Sequence, residues 1–204
     1  MTDILTFSLA VFTGFFAIMN PIANTPIFLG LVEGKDQIAK KRIAKKATIT
    51  AFIIVASFVI LGKYIFEIFG ITIPAFKITG GILIFYVGFE MLMSKSSTIQ
   101  NQGKTNQDDG IAISPLAIPI LAGPGTIVTA MNFVPNASFL HIGIVIVIFA
   151  IMIYLTYLAF SLSEVIVKKV GNNLISVIGK LMGLILAIIG TGMLIEGIKL
   201  AFNL

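Results

Sequence analysis

Asn20, Asn24 and Thr25 are the residues whose chemistry is hardest to explain as packing. With Pro21 and Pro26 they interrupt an apolar run, residues 4–32, that contains no charged side chain. A second such run, residues 113–134, is interrupted by Pro119 and by Gly123-Pro124-Gly125, and Thr126, Thr129 and Asn132 follow. Proline withholds a backbone donor and clashes with the carbonyl one turn back, so prolines five residues apart open a helix. If these runs cross a membrane, the freed N–H and C=O groups cannot face lipid, where each unsatisfied group costs several kcal/mol. They must face protein, water or a ligand. Thr25-Pro26 reads as an N-cap followed by proline at the first helical position, and Gly123-Pro124 plays the same part in the second run. Gly125 lets another backbone come close. Each restarted helix then aims its positive N-terminal end at the middle of the protein. Asn20, Pro21, Asn24, Thr25, Pro26, Gly123, Pro124, Gly125 and Thr126 are therefore the candidate substrate-binding residues. The plainer alternative is that the prolines only kink two long helices.

The elements that must hold these residues are membrane helices. Of 204 residues, 57% are hydrophobic and 11% charged, with a mean hydropathy of +1.05; a soluble domain carries about 25% charged residues. Six runs are long enough to span hydrocarbon: residues 4–32, 47–69, 74–93, 113–134, 139–162 and 174–202. They are continuous rather than alternating, which favours helices over barrel strands. The start of the chain has no basic segment ahead of its first apolar run, so that run reads as mature structure rather than a signal peptide. With no cysteine there is no disulfide or thiol chemistry. The single histidine, His141, opens an apolar run and reads as structural. No H-E-x-x-H, G-x-S-x-G or phosphate-binding loop is present, which argues against an intramembrane enzyme or an ATP-driven pump.

The fourteen Lys and Arg residues are distributed unevenly. Lys35, Lys40, Lys41, Arg42, Lys45 and Lys46 fill the first loop, Lys95 and Lys104 the third, and Lys168, Lys169 and Lys180 the fifth. Only Lys63, Lys77 and Lys199 remain for the other side. The positive-inside rule then places loops one, three and five in the cytoplasm and both termini outside, in a cell (plasma or inner) membrane. The net charge of +5 suits anionic lipid headgroups rather than nucleic acid. Residues 35–46 read as a basic amphipathic helix feeding the second span. Glu67, Glu90, Glu164 and Glu196 lie towards span ends, Glu90 and Glu196 being the most embedded.

The chain repeats itself. Pro21-Ile22-Ala23-Asn24-Thr25-Pro26 matches Pro119-Ile120-Leu121-Ala122-Gly123-Pro124 as P-I-x-x-x-P. Lys77-Ile78-Thr79-Gly80-Gly81-Ile82-Leu83 matches Lys180-Leu181-Met182-Gly183-Leu184-Ile185-Leu186 as K-x-x-G-x-I-L. Residues 1–94 and 112–204 form two three-span halves, joined by a polar cytoplasmic linker at 95–111. Three is odd, so the second half is inverted relative to the first. Paired, interrupted spans in inverted repeats point to a transporter site. The expected fold is an all-α membrane protein of six spans, with the first and fourth broken. Gly80-Gly81, Gly179 with Gly183, and Gly190 with Gly192 are expected to serve close helix packing.

The segments Met19-Asn20-Pro21-Ile22-Ala23-Asn24-Thr25-Pro26-Ile27-Phe28-Leu29 and Pro115-Leu116-Ala117-Ile118-Pro119-Ile120-Leu121-Ala122-Gly123-Pro124-Gly125-Thr126-Ile127, with Thr79-Gly80-Gly81-Ile82-Leu83, resemble the MarC family over essentially the whole chain. That family consists of small six-span membrane proteins, distantly grouped with lysine-exporter-like transporters. The resemblance implies a secondary transporter of small neutral amino acids such as glycine and alanine, coupled to a cation gradient. It also implies that the two broken segments form the substrate site. An exporter of another small metabolite, a channel and a structural membrane protein are the alternatives. A zwitterion suits spans without a midplane charge, because it brings its own counter-charge. Asn20, Asn24, Thr129 and Glu90 are the candidates for ion or proton coupling. With no central acid evident, sodium is favoured over protons as the coupling ion, and no other cofactor is expected. The expected partners are the amino acid and the bilayer, and self-association into homo-oligomers is left open.

Overall fold

The computed structural model describes residues 4–93, 110, 112–134 and 137–203. The linker at 95–111 lies outside the described residues apart from Gly110, as do Thr2 and Asp3. Among the described residues the chain is all-helical. The elements are α1 (Ile4–Met19), α2 (Thr25–Leu31), α3 (Gln37–Phe69), α4 (Ile73–Met93), α5 (Ala112–Leu121), α6 (Pro124–Asn132), α7 (Phe139–Ser161), α8 (Ser163–Val170) and α9 (Asn172–Phe202).

Four of these are long and apolar enough to cross a membrane: α3 over Gln37–Gly62, α4, α7 and α9. The first and fourth expected spans are each divided into two shorter helices, α1 with α2 and α5 with α6. The first break falls where the sequence places it. The second differs. Residues 112–121 continue through Pro115 and Pro119 as a π-helix, and the Ala122 amide donates to Ala117 O, five residues back, at 2.8 Å. Proline has no amide to give to the tighter α-helical bond, so the chain winds wider and breaks only at Gly123.

The basic helix expected at residues 35–46 is the first part of α3 itself. Asp36 caps it, accepting from the Ala39 amide at 2.7 Å. At 33 residues α3 is about 50 Å long, so its Lys- and Arg-rich start extends beyond the hydrocarbon. Gly70 ends it in a left-handed turn (φ 62°), and the Ile71 amide returns to Phe66 O at 2.9 Å. Two further features were not expected. The fifth loop contains a helix, α8, and α9 then starts after Gly171 at φ 80°.

α4 and α9 are antiparallel and touch backbone to backbone. Gly81 and Gly88 on α4 are seven residues apart, as are Gly183, Gly190 and Gly197 on α9; seven residues return to the same helix face. A Cβ on Gly81 would lie 2.6 Å from Gly190 O, and one on Gly88 would lie 2.5 Å from Gly183 O. A Cβ on Gly190 would overlap the Phe85 amide nitrogen, and one on Gly197 would lie 2.9 Å from the Ile78 amide. The close packing expected of the glycine pairs thus applies to Gly81, Gly183 and Gly190, and also to Gly80, where a Cβ would lie 2.5 Å from Val128 Cγ1. It does not apply to Gly192, which faces open space, or to Gly179, whose nearest neighbour is Ala23 at 3.5 Å.

Of the remaining helices, α1 meets α6, α7 and α9, and α3 packs against α5, α6 and α7. Phe15 lies on Phe149 of α7 (centroids 4.9 Å), and Phe28 of α2 stacks on Phe160 (4.6 Å); all four rings are buried. Large apolar side chains such as Ile188 (63% exposed) and Tyr154 (59%) point outward, as lipid contact requires.

Replacing Gly190 with Ala should separate α4 from α9 and lower the thermal unfolding midpoint of the purified protein, a destabilisation of about 1–3 kcal/mol. Gly192→Ala, a substitution into open space, should leave the midpoint unchanged or raise it. Equal effects of the two changes would show that the seam is not closely packed.

Candidate functional site

The first interruption is short and largely closes on itself. α1 ends at Met19, and Asn20 then adopts a left-handed backbone (φ 35°), a conformation asparagine tolerates better than most side chains. Its Oδ1 accepts from the Ala23 amide at 3.3 Å. Asn24 Nδ2 donates to Met19 O at 2.7 Å, and Thr25 Oγ1 donates to Ile22 O at 2.7 Å. The Ile22 carbonyl, which Pro26 leaves without its helical donor, is thus met by Thr25, and the Met19 carbonyl at the end of α1 by Asn24. The N-cap of α2 is Asn24, with φ −81° and ψ −8°, rather than Thr25; Thr25 is the first helical residue and Pro26 the second. No side chain caps α2. Asn24 and Thr25 are already engaged with the backbone in this conformation, whereas Asn20 Nδ2 is buried without a partner among the described residues.

The second interruption is built differently. Gly123 caps α6 in an extended conformation and Pro124 is its first residue, as the sequence suggests. Gly123 has no side chain to offer, so the first-turn amides of Gly125 and Thr126 have no side-chain cap. Thr126 is buried at 2% exposure.

The two interruptions lie at one level. α1 and α6 run antiparallel: a Cβ on Gly125 would lie 2.9 Å from Ile18 Cδ1, and one on Gly14 would lie 3.3 Å from Thr129 Cγ2. Ile18 is two residues before Asn20, and Gly125 two after Gly123, so the Asn20 amide and the start of α6 share one depth. Of the other sequence candidates, Thr129 is buried two-thirds of the way along α6. Glu90 is exposed on α4 and accepts from Tyr86 Oη at 2.9 Å.

Comparison with known proteins follows the same outline. The sequence profile described as MarC family integral membrane protein matches residues 5–202. The chain belongs to the MarC family. It is 41% identical over 200 residues to the UPF0056 membrane protein YvbG of Bacillus subtilis, covering 95% of each chain. It is 38% identical over 194 residues to a UPF0056 membrane protein of Pyrococcus horikoshii, again covering 95% of each. To a UPF0056 membrane protein of Pyrococcus abyssi it is 35% identical over 204 residues, the whole of both chains. No solved structure matches. The chain is thus an integral, multi-pass membrane protein of the MarC family.

Several polar contacts in this MarC-family structure were not foreseen from the sequence. Asn132 Oδ1 and Thr129 Oγ1 on α6 are buried without partners among the described residues; the spacing of Thr126, Thr129 and Asn132, three residues each time, was the available signal. Lys40 of α3 meets Glu164 of α8 at 2.6 Å, and Lys77 of α4 meets Glu196 of α9 at 2.5 Å. α3 begins at the Lys40 pair, and α4 begins after α3 has crossed, so the two pairs lie on opposite faces. His141 is structural in its contacts, edge-on to Phe7 (centroids 4.6 Å) and 2.7 Å from Ser138 Oγ.

The hydrogen bond and charge of Lys40 hold the Glu164 carboxyl below the ordinary glutamate value. A lowered carboxylate pKa stabilises the fold above the unfolded value, and that contribution is lost as pH falls through the folded one. The stability difference between wild type and Glu164→Gln should therefore be small and constant near neutrality, since the pair is exposed. It should vanish on acidification past the usual glutamate range. Thermal unfolding at stepped pH measures this, and a difference that grows in acid would contradict the pairing.

Proposed function

We propose that this MarC-family protein is a secondary active transporter of small neutral amino acids. Its two halves, residues 1–94 and 112–204, are inverted three-span repeats that expose a central site to each side in turn. The element order supports the repeat: a broken helix and two long helices occur twice, with α8 added in the second half.

The observation that carries the reading is the pairing at one depth of the uncapped start of α6 with the unpartnered Asn20 Nδ2. Both present N–H hydrogens, and both suit a carboxylate. The field of a helix start contributes about 0.3–1 kcal/mol to an anion, and up to ~2 kcal/mol when partly buried. Neither interrupted segment has a charged side chain, so a guest with net charge would lack an ionic partner, and an unpaired ion is expensive to bury. A zwitterion brings both charges. Its ammonium group would take the carbonyls of the first break as Asn24 and Thr25 release them. Pro21, Pro26, Pro124 and Gly125 shape this site through the backbone. Import against export is decided by the gradients rather than by this site.

In proteoliposomes, glycine and serine should compete with labelled alanine uptake, and lysine and glutamate should not. Asn20→Gly keeps the left-handed turn and removes the amide. Loss of one hydrogen bond to a carboxylate, about 1.5–3 kcal/mol, should raise KM on the order of 10–100-fold with unfolding temperature little changed. Inhibition by lysine or glutamate without inhibition by glycine would replace the zwitterion with a charged solute.

The Lys and Arg distribution supports a cytoplasmic Lys40 face, with both termini outside. Single cysteines at Thr2 and Gln102 of this cysteine-free chain should give opposite results with an impermeant thiol reagent on intact cells. Thr2→Cys should react and Gln102→Cys should not; the reverse pattern would invert the orientation.

A further inference from the structure

Thr129, like Ser161 at the end of α7, departs from a pattern that several membrane-helix hydroxyls follow. Thr13, Thr48, Ser57, Thr156 and Thr191 each donate to the carbonyl four residues back, at 2.7–2.8 Å. This local bond is how a helix buries a hydroxyl in an apolar setting. Thr129 is 4% exposed and its Oγ1 has no partner among the described residues. One turn further on, Asn132 Oδ1 is buried in the same condition. Residues three apart on a helix are neighbours, with Cβ atoms roughly 5–6 Å apart. Two unengaged oxygens therefore lie one turn apart on α6. The seam between α1 and α6 is sealed towards the start of α1 by Phe7, which meets Phe133 edge-on (5.8 Å) and His141 (4.6 Å).

We propose that Thr129 and Asn132 form a binding site for a hard monovalent cation of the sodium class. A cation satisfies a hydroxyl and an amide oxygen at once, whereas each left unmet costs about 1–3 kcal/mol. Neutral oxygen donors in a segment without carboxylates favour a single charge; divalent hard cations draw on Asp and Glu. Three residues, about 4.5 Å of helix, separate Thr129 from Thr126, the nearest α6 residue of the amino-acid site, so the two sites are neighbours. A Cβ on Gly14 would lie 3.3 Å from Thr129 Cγ2, so Thr129 borders the α1–α6 seam that leads to the break. Of the other sequence candidates for coupling, Asn24 and Glu90 are engaged elsewhere, and Asn20 Oδ1 accepts from the Ala23 amide. The coupling role rests on the transport reading, but occupancy of the site does not.

The test is thermal unfolding of the purified full chain in detergent, with NaCl exchanged for choline chloride at constant ionic strength. Wild type should show a saturable, sodium-specific rise in unfolding temperature. Thr129→Val should weaken the apparent sodium affinity at least tenfold, and Thr129→Ser should keep it. Asn132→Asp, nearly identical in size, should strengthen sodium binding and make it depend on pH. A wild type indifferent to sodium, or one whose response survives Thr129→Val and is unaltered in Asn132→Asp, overturns the proposal. Alanine uptake driven by a proton gradient in such a protein would leave the transport reading standing without this site.

Discussion

Backbone N–H and C=O groups released inside hydrocarbon must find partners within the chain, and the architecture turns on where this happens. In the first interruption the sequence carries its own partners. Asn24 and Thr25 return to Met19 O and Ile22 O, and the left-handed turn at Asn20 lets the chain restart within five residues. In the second, glycine and proline give the backbone room but no partner, so the start of α6 stays electropositive and uncapped. The two solutions are complementary. One break is chemically closed except for a single amide nitrogen, the other is open, and the antiparallel α1–α6 seam brings them level.

Much of this was legible in the sequence because hydrocarbon imposes strong rules. Long apolar runs became α3, α4, α7 and α9, and the Pro-rich segments became breaks. Gly123 took the capping position the sequence suggests, since only a residue without a side chain fits so plainly before Pro124. Thr25 did not, because local bonds compete: its hydroxyl reaches Ile22 O more easily than it reaches forward into the helix. The π-helix through Pro115 and Pro119 was not legible, because proline tells where an α-helical bond is missing but not how the chain winds around the gap. Ion pairs such as Lys40 with Glu164 depend on tertiary register, which no spacing rule along one chain conveys.

The unpartnered atoms divide by chemistry along the seam. At the break lies a donor, Asn20 Nδ2; further along α6 lie two oxygens, Thr129 Oγ1 and Asn132 Oδ1. Donors suit an anionic group and oxygens a cationic one, so the seam is polarised although it holds no formal charge. In the proposed transporter this arrangement would select by sign without burying an ion permanently, which apolar surroundings resist.

The glycine seam between α4 and α9 also sets a timetable for biogenesis. Gly81 and Gly88 leave the ribosome long before Gly183, Gly190 and Gly197, at about 5–20 residues per second a delay on the order of 5–20 s. During that interval α4 stands in lipid with a groove where its side chains should be, a surface that acyl chains fill less well than another backbone. Four intervening helices, α5 to α8, are made before its partner arrives. α4 therefore reaches its final packing only when α9 has left the translocation machinery.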